Sequence, residues 1–237
     1  MSIPINEKLI QRQINNWNRF RRFLHEDTTI PATKPVITVS RQAGSGGRAL
    51  ATAICRQFGL ELQDRSLVER IVQDAELDRS LVADLDETAV NEVELWVKGV
   101  LSQRIYLKDE YHKALVRIVS TLAARGGVVF LGRGAELILG EKATLRVRVV
   151  ASQTTRLRNT VAETGLSKAE ARAVLAETDR KRDAFIRTVF RRDPGAPADY
   201  DLVLNADRVS QDCMLELVGL ALLERGTGGR SRMLARG

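Results

Sequence analysis

The sequence predicts an α/β fold with a five-stranded parallel sheet, covered by helices and interrupted by a helical insertion after the second strand. Three observations carry this. Short β-branched or apolar runs alternate with amphipathic helical patterns from about residue 36 to 225, as in consecutive βαβ units. The first run opens through a glycine-rich loop, Ala43-Gly44-Ser45-Gly46-Gly47-Arg48, straight into a helix. The stretch between the second and third runs is too long for a plain crossover and reads as a subdomain.

In order, Val36-Ile37-Thr38-Val39-Ser40 is fit for a buried parallel strand. After the loop, Leu50, Ile54 and Phe58 mark a helix that ends near Gly59. Leu60-Glu61-Leu62-Gln63 is the second strand. In the long helical stretch that follows, Leu81, Leu85, Ala89, Val93 and Trp96 share one face. Ile105, Tyr111, Leu115, Ile118 and Leu122 share another. Val128 to Leu131 is the third strand, and ends at Gly132-Arg133-Gly134. Leu145 to Val150, alternating Arg with Leu and Val, is the fourth. Ser167-Lys168-Ala169-Glu170 is a capping-box signature that opens a charged helix to about Phe190, broken by Asp193-Pro194-Gly195. Leu202-Val203-Leu204 is the fifth strand. Ser210 caps a last helix whose apolar face includes Leu215, Val218 and Leu222.

The flanks are of another kind. Residues 1–35 read as a helical appendage: Ile10, Ile14, Trp17 and Leu24 fall near one face, and Pro31 and Pro35 end it. Docking on the domain or on a second subunit is favoured over a membrane-surface helix, so a homodimer through this helix or the insertion helices is an expectation. The glycine-bearing tail 226–237 is expected to be disordered.

The 237 residues suffice for one domain with a mobile subdomain; 44% are hydrophobic and 28% charged, as in an ordinary globular protein. No apolar run approaches the ~20 residues needed to cross a bilayer, and no signal peptide opens the chain. The two cysteines, Cys55 and Cys213, lack metal-ligand spacing and are expected to be free, buried thiols. A cytoplasmic location is the expectation. The formal charge is +7, with Arg greatly outnumbering Lys. Planar guanidinium groups suit phosphate. A nucleic-acid partner is not expected, because no aromatic platform accompanies the charge.

The glycine loop fits two motifs. In both, backbone N–H groups and a helix N-terminus meet an anion. Gly44-x-Gly46-x-x-Ala49, with Asp64 some twenty residues on, has the form of the dinucleotide fingerprint. Aligned instead on the kinase-type phosphate loop, Gln42 stands at the first glycine, Gly47 at the last, Arg48 at the lysine and Ala49 at the hydroxyl. The late cations weigh toward phosphoryl transfer: Arg156 and Arg158, then Arg180, Lys181, Arg182, Arg187, Arg191 and Arg192. Such groups can close on the charge spread over a transferring phosphoryl group. Each taken singly also reads as a solvated partner of acids such as Glu177 or Asp179.

Residues 36–48, Gln63-Asp64-Arg65-Ser66-Leu67-Val68, Leu131-Gly132-Arg133-Gly134-Ala135, the Thr178-Asp179-x-x-Arg182 helix and Tyr200-Asp201-Leu202-Val203-Leu204-Asn205 together resemble the cytidylate kinase-like family. The resemblance covers roughly residues 36–225. It implies a P-loop, nucleoside monophosphate kinase-like three-layer fold, with a helical NMP-binding insertion at 64–126 and a lid at about 152–195. The implied reaction moves the γ-phosphate of ATP, with Mg²⁺, to CMP, dCMP or a similar nucleoside monophosphate. Gly44, Ser45, Gly46, Gly47, Arg48 and Ala49 would hold the donor phosphates. Asp64, Arg65 and Arg133 would serve the acceptor, although Asp64 reads equally as a helix N-cap. Arg48, Arg180 and Arg182 would be the catalytic cations, and no metal ligand is assigned. Two positions depart from cytidylate kinases: Arg48 replaces the loop lysine, and Gly134 stands where an Asp follows the Gly-Arg. The acid that recognises the acceptor is therefore not evident. The alternative is a catalytically weak or inactive nucleotide-binding regulator.

Overall fold

The computed structural model describes residues 34–66, 68–69, 85, 87–103 and 110–226. Five parallel strands form one sheet: β1 (Val36–Arg41), β2 (Glu61–Gln63), β3 (Val128–Leu131), β4 (Leu145–Val150) and β5 (Leu202–Asn205), in the order β2-β3-β1-β4-β5. Register is fixed by pairs such as Val39 with Leu131 and Val39 with Val147. With β1 in the middle, the chain leaves its carboxyl end where the neighbours on either side diverge. Open α/β sheets bind ligands at such a switch point.

The strands alternate their side chains between two cores. Ile37, Val39, Val129 and Val147 pack with Leu50 and Ile54 of α1 (Gly47–Phe58) and Met214 and Val218 of α7 (Gln211–Gly226). On the other face, Val36, Val128 and Phe130 meet α3 (Glu110–Arg125), α4 (Ala135–Leu139) and the end of α6 (Lys168–Phe190). Helix, sheet, helix makes the three layers expected, in a P-loop nucleoside monophosphate kinase-like fold. α5 (Gln153–Thr164) joins β4 to α6.

Most boundaries follow local chemistry. Ser167 and Glu170 form the expected reciprocal capping box, and Ser210 Oγ accepts from the Cys213 N–H at 3.3 Å. Two expectations shift. Leu60 is not yet strand, because its N–H closes α1 on the Cys55 carbonyl; the ladder starts when the Glu61 N–H reaches Gly127 O at 2.8 Å. Nor does Asp193-Pro194-Gly195 stop α6. Arg191 does so by taking a left-handed φ of 53° and returning its N–H to Arg187 O.

Within the insertion, α2 (Glu87–Gln103) and α3 pack together: Val93, Val100, Leu115, Ile118 and Leu122 are buried, and Trp96 and Tyr111 pack against that core. Leu81, Ile105, the appendage residues 1–33 and the tail 227–237 lie outside the described residues. Cys55 and Cys213 are free thiols, but both are only partly buried. No described helix is long and apolar enough to cross a membrane.

Candidate active site

The loop is held from outside by four elements, β4, α5, α6 and α7. Ser45 is fully buried and points into the fold, its hydroxyl donating to Gln42 O at 2.9 Å and Val149 O at 3.2 Å. The Gln42 side chain accepts from the Ala151 N–H at 3.0 Å, so a glutamine at this position ties the loop to the end of β4. Asn159 of α5 donates to Gly44 O, and Gln211 of α7 donates to Gly46 O. Gly44 and Gly46 sit at φ 70° and 84°. Gly46 is the N-cap of α1 without a side-chain cap, so the first N–H groups of that helix have no acceptor there. That is the electrostatic setting for a phosphate.

Arg48 stands at the mouth, its side chain 62% exposed, in a 3.0 Å pair with Asp64. Asp64 also accepts from Ser66 N and Oγ, so it caps the turn that begins at Arg65 and orients Arg48 at once. Ala49 is exposed and offers no hydroxyl. Among the described residues no group of three or more His, Cys, Asp or Glu is placed to hold a metal ion.

Beside the loop, a cleft of about 420 Å³ opens at the carboxyl ends of β1, β3 and β4. Six cations line it (Arg41, Arg65, Arg133, Arg148, Lys181 and Arg182) against three acids, Glu136, Asp179 and Asp183. The arginines are crowded. Burial, with Arg182 and Arg48 close by, pushes Arg41 down to about 9; Glu136 and Asp64 only partly offset this. Burial and then Arg65 push Arg133 to about 10. Arg182 is lowered first by burial, with Asp179 opposing and Arg48, Arg65 and Arg156 adding to the fall. With six cations against three acids in its lining, the cleft carries an excess of positive charge, an electrostatic setting that favours an anion.

Arg133 takes a left-handed φ of 61°, a conformation that costs free energy, and its side chain lines the cleft. The guanidinium pairs with Glu69 and lies 5.2 Å from the Phe185 ring centroid. Arg65 bonds the same Glu69 at 2.9 Å. The two acceptor-side arginines expected from sequence therefore share one carboxylate. Of the late arginines, Arg182 lines the cleft and donates to Arg41 O at 3.4 Å. Arg180 does not. Its side chain is 69% exposed and bonded to Glu177, one helical turn back. Lys181 joins the same acid at 3.2 Å yet lines the cleft.

Sequence reasoning missed several groups. Asp179 reaches the loop, accepting from the Ala43 N–H at 2.8 Å and from Arg156 at 2.7 Å. Arg41, Arg148 and Glu136 form the floor. Arg148 was visible only as one of the arginines alternating in β4; Glu136 was visible only as a lone acid in an apolar run. A charged residue inside such a run was the available signal.

Fold and site together define a kinase-type P-loop protein. The chain belongs to the cytidylate kinase-like family, whose sequence profile matches residues 36–208. A solved structure of an uncharacterized protein from Eubacterium ventriosum shares the fold at a TM-score of 0.56 and 16% identity, covering 80% of this chain and 98% of that one. Shikimate kinase from Bacteroides thetaiotaomicron aligns at 0.42 with 14% identity, over 79% of this chain and 95% of its own. Among curated proteins, uronate isomerase of Corynebacterium glutamicum is 33% identical over 97 residues, 40% of this chain; the match spans 19% of that protein's length.

Proposed function

We propose that the protein is a nucleoside monophosphate kinase that transfers the γ-phosphoryl group of ATP to CMP, dCMP or a related monophosphate. The observation that supports this most is the cation-rich cleft directly beside a glycine loop whose helix N-terminus is uncapped. An acceptor phosphate in the cleft would lie next to donor phosphates on the loop, which is the positioning that phosphoryl transfer chiefly needs.

In this reading the backbone of Gly44, Gly46, Gly47, Arg48 and Ala49 cradles the donor phosphates, while Ser45 shapes the loop from within. Arg48 leaves Asp64 to meet the β- and γ-phosphates bidentately. Arg65 and Arg133 hold the acceptor phosphate, Asp64 orients that side, and Arg182 with Lys181 supplies the mobile charge. The bond from the β,γ-bridging oxygen to Pγ breaks as an acceptor phosphate oxygen bonds to Pγ, and ADP leaves with the electron pair. Mg²⁺, when bound, would supply neutralising charge to the phosphate oxygens; with Ala49 at the hydroxyl position, it would be held through nucleotide phosphates and water. The helical block 64–126 and the segment 152–195 are the parts that would close over the acceptor.

ADP release from ATP and Mg²⁺ is measured with a panel of monophosphates, for the wild type and Arg48→Ala in parallel. Turnover with at least one acceptor is expected, falling about 100-fold or more in the variant. The variant keeps its fold, since an exposed pair contributes only ~0.2–1 kcal/mol. Absence of turnover on every acceptor refutes the proposal. The Arg48–Asp64 pair also motivates the second reading, a nucleotide-binding regulator without turnover. It requires nucleotide-dependent thermal stabilisation in the same samples.

A further inference from the structure

Glu136 is a buried acid beside two arginines of the cleft floor, Arg41 and Arg148. It is 3% exposed, on the short helix α4 just beyond Gly134, and it lines the cleft. Its Oε2 has no hydrogen-bond partner among the described residues. The guanidinium of Arg148 is engaged elsewhere: Nη1 donates to Ser40 Oγ at 3.0 Å and to the Tyr200 hydroxyl at 3.2 Å. Tyr200 in turn donates to Pro194 O at 3.1 Å, so this side of the floor is already tied together without Glu136. Burial raises its pKa; its own N–H, Arg148 and Arg41 pull the other way, and Asp199 adds to the rise.

Buried polar atoms in native proteins are nearly always bonded, and a buried ion pair can often be replaced by apolar residues without loss of stability. A buried acceptor oxygen without a partner among the described residues, on a residue that lines a cation-rich cleft, is a candidate contact for a ligand bound there. The cations would hold the anionic end of that ligand. The carboxylate selects for something the phosphate lacks, an N–H or O–H donor.

We infer that Glu136 is a specificity-determining residue whose Oε2 accepts a hydrogen bond from an N–H or O–H group on the phosphoacceptor. The inference rests on the phosphotransferase reading above and deepens it. The donor is either an exocyclic amine of the base or the 2′-hydroxyl of the sugar. CMP against UMP separates amine from carbonyl, and CMP against dCMP separates hydroxyl from hydrogen. A site built to bond such a group rejects the analogue that lacks it, because its own buried atom is then left unpaired.

The test is kcat/KM for CMP, UMP and dCMP with wild type and Glu136→Gln, together with KM for ATP and the melting midpoint. Wild type is expected to favour the donor-bearing acceptor by roughly tenfold or more. Glu136→Gln is expected to narrow one of the two ratios by roughly the same factor while KM for ATP holds. The ratio that collapses identifies the donor. Equal scaling of all three acceptors, or no change, overturns the inference while leaving the kinase reading intact. Should Glu136→Gln fail to fold, Glu136→Asp withdraws the oxygen but keeps the acid, and the same ratios decide. Should wild type turn over none of the three, the kinase reading fails separately. Calorimetric binding of the same three monophosphates to wild type and Glu136→Gln then decides, and equal affinities, including none, overturn the inference.

Discussion

The seating of the phosphate loop on α5 makes a quantitative prediction about two glycines that share a backbone conformation. Gly44 and Gly46 both have left-handed φ, 70° and 84°. Forcing alanine into that region costs ~1–2 kcal/mol at either site. Their surroundings differ. A Cβ on Gly46 meets nothing closer than the Gln211 side chain at 3.8 Å; one on Gly44 would stand 2.6 Å from Arg156 O, 2.7 Å from Thr160 Oγ1 and 3.0 Å from Leu175 Cδ2. Arg156 O is backbone, so the loop or α5 must move, an overpacking cost of ~1–3 kcal/mol. Gly46→Ala should therefore destabilise by ~1–2 kcal/mol and Gly44→Ala by ~2–5 kcal/mol. At ~2–4 °C per kcal/mol for a domain of this size, the melting midpoint falls by ~2–8 °C in the first and ~4–20 °C in the second. Differential scanning calorimetry of both variants without nucleotide reads the difference. Equal midpoints would mean that α5 does not rest on the loop, and the account of how the loop is held would be wrong.

Three further outcomes follow from the charges. Arg182→Ala should lower kcat/KM at least tenfold, whereas Arg180→Ala, whose side chain bonds Glu177 in solvent, should leave it unchanged; equal losses would put Arg180 back in the site. Arg41→Gln should raise the melting midpoint of the nucleotide-free protein, because a crowded buried cation is removed. The same variant should lose most of the midpoint increase that pyrophosphate gives the wild type; an undiminished increase would refute Arg41 as part of the anion site. Asp201 accepts from the Arg146 N–H and side chain and from Arg225 at 2.8 Å, and Asp201→Asn should cost ~1.5–3 kcal/mol. Burial opposes ionisation of Asp201, but the bonds from Arg146 prevail and hold its carboxyl below the usual 3.8. Its contribution is thus full above that value and lost as pH falls through the folded-state pKa. Acid melts should converge for the two proteins below pH 3.8; parallel curves would refute the pairing.

The strands and the loop were legible because their signals are local. Val36-Ile37-Thr38-Val39 needs no partner to read as a buried strand, and glycines ahead of an amphipathic helix read as a phosphate loop wherever the sheet lies. The cleft floor was not legible, since Arg41, Arg148 and Glu136 become a group only once β4 and α4 are set on either side of β1. No spacing in the chain reports that arrangement: residues 41, 136 and 148 lie on three separate elements. Helix phase explains why Arg182 lines the cleft and Arg180 does not. Each helical residue turns the side chain by about 100°, so Arg180 and Arg182 point some 200° apart. Both could not face one cleft. The choice between them depends on which face of α6 meets the sheet, and the buried residues settle it: Ala171, Leu175, Ile186, Val189 and Phe190 run along the core side. Arg182 is four residues before Ile186 and seven after Leu175, on that same stripe. Arg180 lies off it, and the apolar periodicity of α6 therefore contained the answer.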